Sequence, residues 1–137
     1  MISVLYIDDE PSLLEIARIF LEETGDFTVT TMTSAEEALA SGAARSCDAI
    51  ISDYQMGGMD GIAFLQAVRQ EHPDVPFILF TGRGREAVVI EALNNGADFY
   101  LQKGGDPQAQ FAELENKVRY AVARRRAEQE LSASEER

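Results

Sequence analysis

The chain has 137 residues, 45% of them hydrophobic, which is enough for one compact core and too few for two ordinary domains. Its formal charge of -12 argues against nucleic acid as a direct partner, because phosphate backbones are held by Lys and Arg. No apolar run approaches the ~20 residues of a membrane span, and Met1 leads into ISVLYI without a basic flank or cleavage site, so the expectation is a cytoplasmic protein with no membrane insertion.

Short β-branched apolar runs alternate with longer stretches of helical period, the pattern of βα units wound into a parallel sheet with helices on both faces. The first strand is expected at Ser3 to Ile7. Pro11 then opens a helix, since a missing N–H costs nothing in the first turn, and Leu13, Leu14, Ala17, Phe20 and Leu21 share one face before Gly25 ends it. The second strand, Thr28 to Thr31, alternates in polarity and reads as an edge. Ser34 followed by Glu37 is a capping box for the second helix. Cys47, the single cysteine, cannot form an internal disulfide and reads as a small, partly buried hydrophobe.

The third and fourth strands, Ala49 to Ser52 and Phe77 to Phe80, are continuous apolar runs, as buried parallel strands should be. His72 lies in a helix-to-strand loop and reads as solvated. Asn95-Gly96 closes the fourth helix, Phe99 to Leu101 forms the fifth strand, and Asp106-Pro107 opens a last helix with Phe111, Leu114, Val118, Ala121 and Val122 on one side. That helix has no stop signal. Its charged continuation, 124–137, is expected to be either a fraying end or a helical linker toward a further domain.

In an open parallel sheet, ligands bind beyond the carboxyl ends of the strands where strand order reverses. Here Asp8-Asp9-Glu10 follows the first strand, Asp53 the third, Thr81-Gly82 the fourth and Lys103-Gly104-Gly105 the fifth. With order 2-1-3-4-5, the three aspartates face one another across the crevice and Thr81 and Lys103 line its wall. Like charges at 4 Å repel by about 4 kcal/mol at an effective dielectric of 20, so a cation is called for. Oxygen ligands with open positions suit Mg²⁺, Lys103 adds a fixed positive charge, and an Asp53 oxygen can then act as nucleophile toward a phosphoryl group. Each element alone is weak. Four strand ends supplying complementary groups to one edge is the argument.

These residues resemble the receiver domains of two-component response regulators, from Met1 to about Ala123. YIDDEP is similar to the family's acidic pair, SDYQMGGMDG to its phosphoacceptor loop, FTGRG to its switch-hydroxyl strand and DFYLQKGG to its switch aromatic and lysine. The resemblance implies a doubly wound (βα)5 receiver fold over 1–123, with Asp53 as phosphoacceptor. Asp8, Asp9, Asp53 and the backbone carbonyl of Gln55 would hold Mg²⁺. Lys103 would pair with Asp53 and the phosphoryl group, and Thr81 and Tyr100 would be the switch residues. Gln55 and Arg83 would tune signal lifetime. The phosphodonor would be a histidine kinase or phosphotransfer protein. The output would be the surface of the fourth helix, fifth strand and last helix, acting on a downstream protein or a linked sensor or output domain, with homodimerisation through that surface or the C-terminal helix.

The tract TGRGREAVVIEALNNGADFYLQKGG, followed by RRRAEQELSASEER, is similar to receivers that begin archaeal multidomain sensors or histidine kinases. Two positions depart from the family pattern: Gly57 and Gly104 stand where proline is common, the second a cis-proline, so the isomer of the Lys103-Gly104 bond is open. Other readings are a receiver-like docking domain that is not phosphorylated, a flavodoxin-like cofactor module, and a haloacid-dehalogenase-type phosphohydrolase. The last usually carries a second Asp two residues after its nucleophile, where this chain has Gln55. The receiver reading makes the domain a switch that promotes its own phosphorylation and dephosphorylation rather than a turnover enzyme.

Overall fold

The computed structural model describes residues 1–82 and 86–135. Its five strands are β1 (Ile2–Ile7), β2 (Phe27–Met32), β3 (Ala49–Ser52), β4 (Phe77–Thr81) and β5 (Phe99–Gln102). All pairings are parallel and the order is 2-1-3-4-5, as expected. Every residue of β3 and β4 is buried, whereas β2 alternates buried and exposed positions over its first four residues and forms one edge. The five helices are α1 (Pro11–Glu22), α2 (Ala35–Ser41), α3 (Gly61–Glu71), α4 (Glu86–Asn94) and α5 (Pro107–Glu135), with a 3-10 turn at Ala43–Arg45.

Two apolar layers sandwich the sheet. On one face Leu14, Ala17 and Leu21 of α1 and Phe111, Leu114, Val118 and Val122 of α5 pack on Val4, Tyr6, Ile51, Ile78 and Phe80. On the other, α2, α3 and Ala92 of α4 cover Leu5, Ile7, Ile50, Phe77 and Leu79. The alternation of side chains along each strand divides the residues between these layers. At roughly 25 cal/mol per Å² of apolar surface removed from water, this double core is the main source of stability.

Local signals in the sequence account for the helix ends. Ser34 Oγ accepts the Glu37 N–H at 3.1 Å, and Asp60 Oδ1 accepts the Ala63 N–H at 2.8 Å, capping α2 and α3. At the end of α4, the Ala97 N–H reaches Ala92 O and the Gly96 N–H reaches Leu93 O, with Gly96 at φ 96°, a Schellman stop. His72 is the C-cap of α3, only partly exposed. Cys47 is half-buried, with its thiol against the Ala44 carbonyl.

The last helix runs through position 124 without a break and reaches Glu135, 29 residues in all. Arg126 lies 3.6 Å from Asp48, whose other carboxylate oxygen accepts the Ser3 N–H. The first turn after the expected boundary is therefore held against the sheet's amino-terminal edge. None of the described helices is long and apolar enough to cross a membrane.

Candidate functional site

The carboxyl ends of β1 and β3 lie side by side, Ile7 in register with Ser52, so the residues that follow them converge. One carboxylate oxygen from each of Asp8, Asp9 and Asp53 falls within 4.8 Å of the others. Asp8 is wholly buried, Asp53 nearly so and Asp9 exposed. A cavity of about 730 Å³ opens at this edge, lined by Asp9, Asp53, Gln55, Thr81 and Lys103, among others.

Lys103 supplies the countercharge. Its ammonium is 2.6 Å from Asp8 Oδ2 and 3.5 Å from Asp53 Oδ2. The shorter contact goes to the more deeply buried carboxylate, where desolvation makes a partner most valuable. Burial pushes the Asp8 carboxyl above its ordinary range; Lys103 and the Glu10 N–H, bonded to Oδ1 at 3.0 Å, pull the other way. Asp53 Oδ1 accepts the Tyr54 N–H at 2.8 Å, which leaves Oδ2 directed toward Lys103.

The backbone behind Asp53 is fixed by Gly61. A Cβ there would run into the Asp53 carbonyl oxygen and come within 2.9 Å of Leu79 Cδ1, so only glycine fits. The Gly61 N–H also donates to Tyr54 O at 2.8 Å. The middle of the same loop is tied from α2, where Glu36 Oε2 accepts the Met59 N–H at 3.2 Å.

Thr81 ends β4, buried, in register with Gln102 of β5, one residue before Lys103. Tyr100 is half-buried on the α3–α4 side; its hydroxyl is enclosed with no hydrogen-bond partner among the described residues, and burial raises its pKa. Gln55 is exposed at the cavity rim. Arg83 lies outside the described residues. The Lys103-Gly104 peptide bond is trans, and Gly104 has φ 140°.

Sequence reasoning missed Tyr6. Its hydroxyl is buried without a partner among the described residues, and its phenol is pushed well above its ordinary pKa by burial, reinforced by Asp8 and Asp53. The available signal was its polar tip among the apolar, buried Val4, Leu5 and Ile7. Glu36, in the first turn of α2, is a second residue that the sequence did not point to, since its reach to the β3–α3 loop has no sequence signature.

The donor set is all oxygen, partly open to solvent and backed by a lysine, which fits a small hard divalent cation such as Mg²⁺.

Comparison with known proteins agrees with this arrangement. The family model described as response regulator receiver domain matches residues 4–115. The response regulator Rre1 of Synechocystis is 37% identical over 128 residues, covering 92% of this chain and 54% of that protein. The C4-dicarboxylate transport transcriptional regulatory protein DctD of Rhizobium meliloti is 40% identical over 101 residues, covering 74% of this chain and 22% of that one. The chain thus spans about half or less of these relatives. A solved response regulator receiver domain protein from Clostridium thermocellum superposes with a TM-score of 0.81 at 28% identity, covering 93% of this chain and 98% of that one. These findings do not bear out the expected likeness to archaeal sensors, since both relatives are bacterial regulators, and they do not favour the phosphohydrolase or docking-only readings.

Proposed function

This chain belongs to the response regulator receiver domain family, homologous to the phosphorylatable receivers of two-component systems, and from that premise we propose that Asp53 is its phosphoacceptor. Asp8, Asp9, Asp53 and the backbone carbonyl of Gln55 are the ligands we assign to Mg²⁺. The observation that carries the reading is the gathering of three carboxylates within 4.8 Å beside one ammonium. Bound there, Mg²⁺ would neutralise the acids and supply positive charge to offset that of a phosphoryl group.

The chain's own groups divide the remaining work. Asp53 Oδ2 attacks phosphorus, a new O–P bond forms, and the bond to the donor's leaving group breaks with its electron pair. Tyr54 N–H holds Oδ1 and so fixes which oxygen attacks. Lys103, already within reach of Asp53, follows the charge as it spreads onto the phosphoryl oxygens. The Thr81 hydroxyl donates to one of those oxygens, and Tyr100 follows it inward; a half-buried ring whose hydroxyl has no partner among the described residues gains a bond by repositioning. Gln55 and Arg83 set how readily water returns to the acyl phosphate, so the domain promotes both its own phosphorylation and its dephosphorylation.

The donor is a phosphohistidine on a kinase or phosphotransfer protein. The output surface is α4-β5-α5, where Ile90, Leu93 and Tyr120 are exposed, and either it or the C-terminal helix would serve a homodimer. The receiver extends to about 123, and the charged segment beyond it is either a helical extension or a linker toward a sensor or output domain. The test is intact-mass measurement after incubation with phosphoramidate. One phosphoryl adduct with Mg²⁺ and none with EDTA is expected; no adduct under either condition would refute the assignment.

A further inference from the structure

Lys103 stands at the point where the β-ladder stops. Its N–H makes the last rung, to Thr81 O at 3.0 Å, and the next two residues are glycines with φ of 140° and 79° and open space where a Cβ would lie. Such a segment has little to hold it. Yet the Lys103 ammonium is hydrogen-bonded to Asp8 Oδ2 at 2.6 Å and lies 3.5 Å from Asp53 Oδ2.

The side-chain amide of Gln110, in the first turn of α5, closes around this segment. Its Nε2 donates to Gln102 O at 2.6 Å, and its Oε1 accepts the Gly104 N–H at 3.1 Å. The two bonds bracket Lys103 on either side, and only one orientation of the amide satisfies both. Gln110 is anchored in turn by helix formation, its N–H on Asp106 O at 3.0 Å. We infer that Gln110 is a positioning residue that clamps the lysine loop and holds Lys103 against Asp8 and Asp53. It touches no reacting atom and acts through Lys103, so its role in phosphorylation rests on the proposed function above.

The test uses the protein's two lysines, Lys103 and Lys117. Amine acylation of the folded protein, read by peptide mass spectrometry, is compared in the parent, Gln110→Ala and Gln110→Glu. Loss of both bonds should raise Lys103 labelling about tenfold, the order set by two net hydrogen bonds, with Lys117 unchanged. Gln110→Glu keeps the acceptor and loses the donor, so it should fall between. Unchanged Lys103 labelling, or an equal rise at Lys117, overturns the clamp. The second arm is the rate of phosphoryl uptake from phosphoramidate. Gln110→Ala should slow it about tenfold in the parent and not at all in a Lys103→Ala background, since residues acting through one group are non-additive. Equal slowing in both backgrounds overturns the inference. A parent that shows the labelling pattern but takes up no phosphoryl group keeps the clamp and sinks the phosphoacceptor reading instead.

Discussion

The Lys103 ammonium lies 2.6 Å from Asp8 Oδ2, and Asp8 has no exposure to solvent. Removing the lysine therefore strands a buried carboxylate. Lys103→Met should cost about 2 kcal/mol at neutral pH, and Asp8→Asn in the same chain should restore most of it. The cost has a pH sign. Burial already raises the Asp8 carboxyl above its unfolded value, and loss of Lys103 raises it further. The native state then holds a proton that the unfolded state has released, so stability falls as pH rises through that interval and the penalty fades in acid. Urea titrations from acid to neutral pH, without divalent ions, measure it.

Mg²⁺ should offset the same strain. A ligand that binds only the folded protein stabilises it by about 2.7 kcal/mol at a hundredfold excess over its Kd. The melting temperature of the parent should rise with Mg²⁺ and fall back on chelation. Asp9→Asn should respond much less, since an exposed member of the carboxylate cluster is lost without disturbing the core. Equal shifts in the two proteins would place the ion elsewhere.

Gly61 leaves no room for a Cβ beneath the Asp53 carbonyl. Both close neighbours other than Leu79 are backbone, which moves only if the β3–α3 loop moves. Gly61→Ala should cost about 2 kcal/mol or more and slow phosphoryl uptake at the same time. Gly57→Ala, in open space, should do neither. Urea unfolding together with adduct formation in the two variants separates them.

Much of this was legible in the sequence because the fold's rules are local. Alternation in Phe27 to Thr30 marked an edge strand, Ser34 and Asn95-Gly96 marked helix ends, and the apolar spacing of Phe111 to Val122 marked a buried face. The site followed from topology, because parallel strands deliver Asp8, Asp53, Thr81 and Lys103 to one edge whatever their separation in the chain. Topology does not show which partner a flexible side chain prefers. Lys103 favours Asp8 through relative burial, Glu36 reaches a loop 23 residues away, and Gln110 closes a loop six residues back. Those contacts depend on tertiary placement. The boundary expected at 123 has no mark in the fold, since one helix carries both sides of it and Arg126 reaches back to Asp48.

Cys47 offers a check on the core beside β3. Burial pushes its thiol up to about 11. A free cysteine near 8.5 is about one-quarter thiolate at pH 8, so Cys47 should alkylate about two orders of magnitude more slowly. Unfolding in urea should abolish the difference. Because the folded value lies above the unfolded one, its contribution to stability is intact below about pH 8.5 and is lost as pH rises toward 11.

The most direct measurement locates the phosphoryl group. After phosphorylation with phosphoramidate and Mg²⁺, borohydride reduces an acyl phosphate to the alcohol, and peptide mass spectrometry identifies the altered residue. Conversion at Asp53 alone, absent from Asp53→Asn, is the predicted result. Conversion at another acid, or an undiminished adduct in Asp53→Asn, would contradict the assignment.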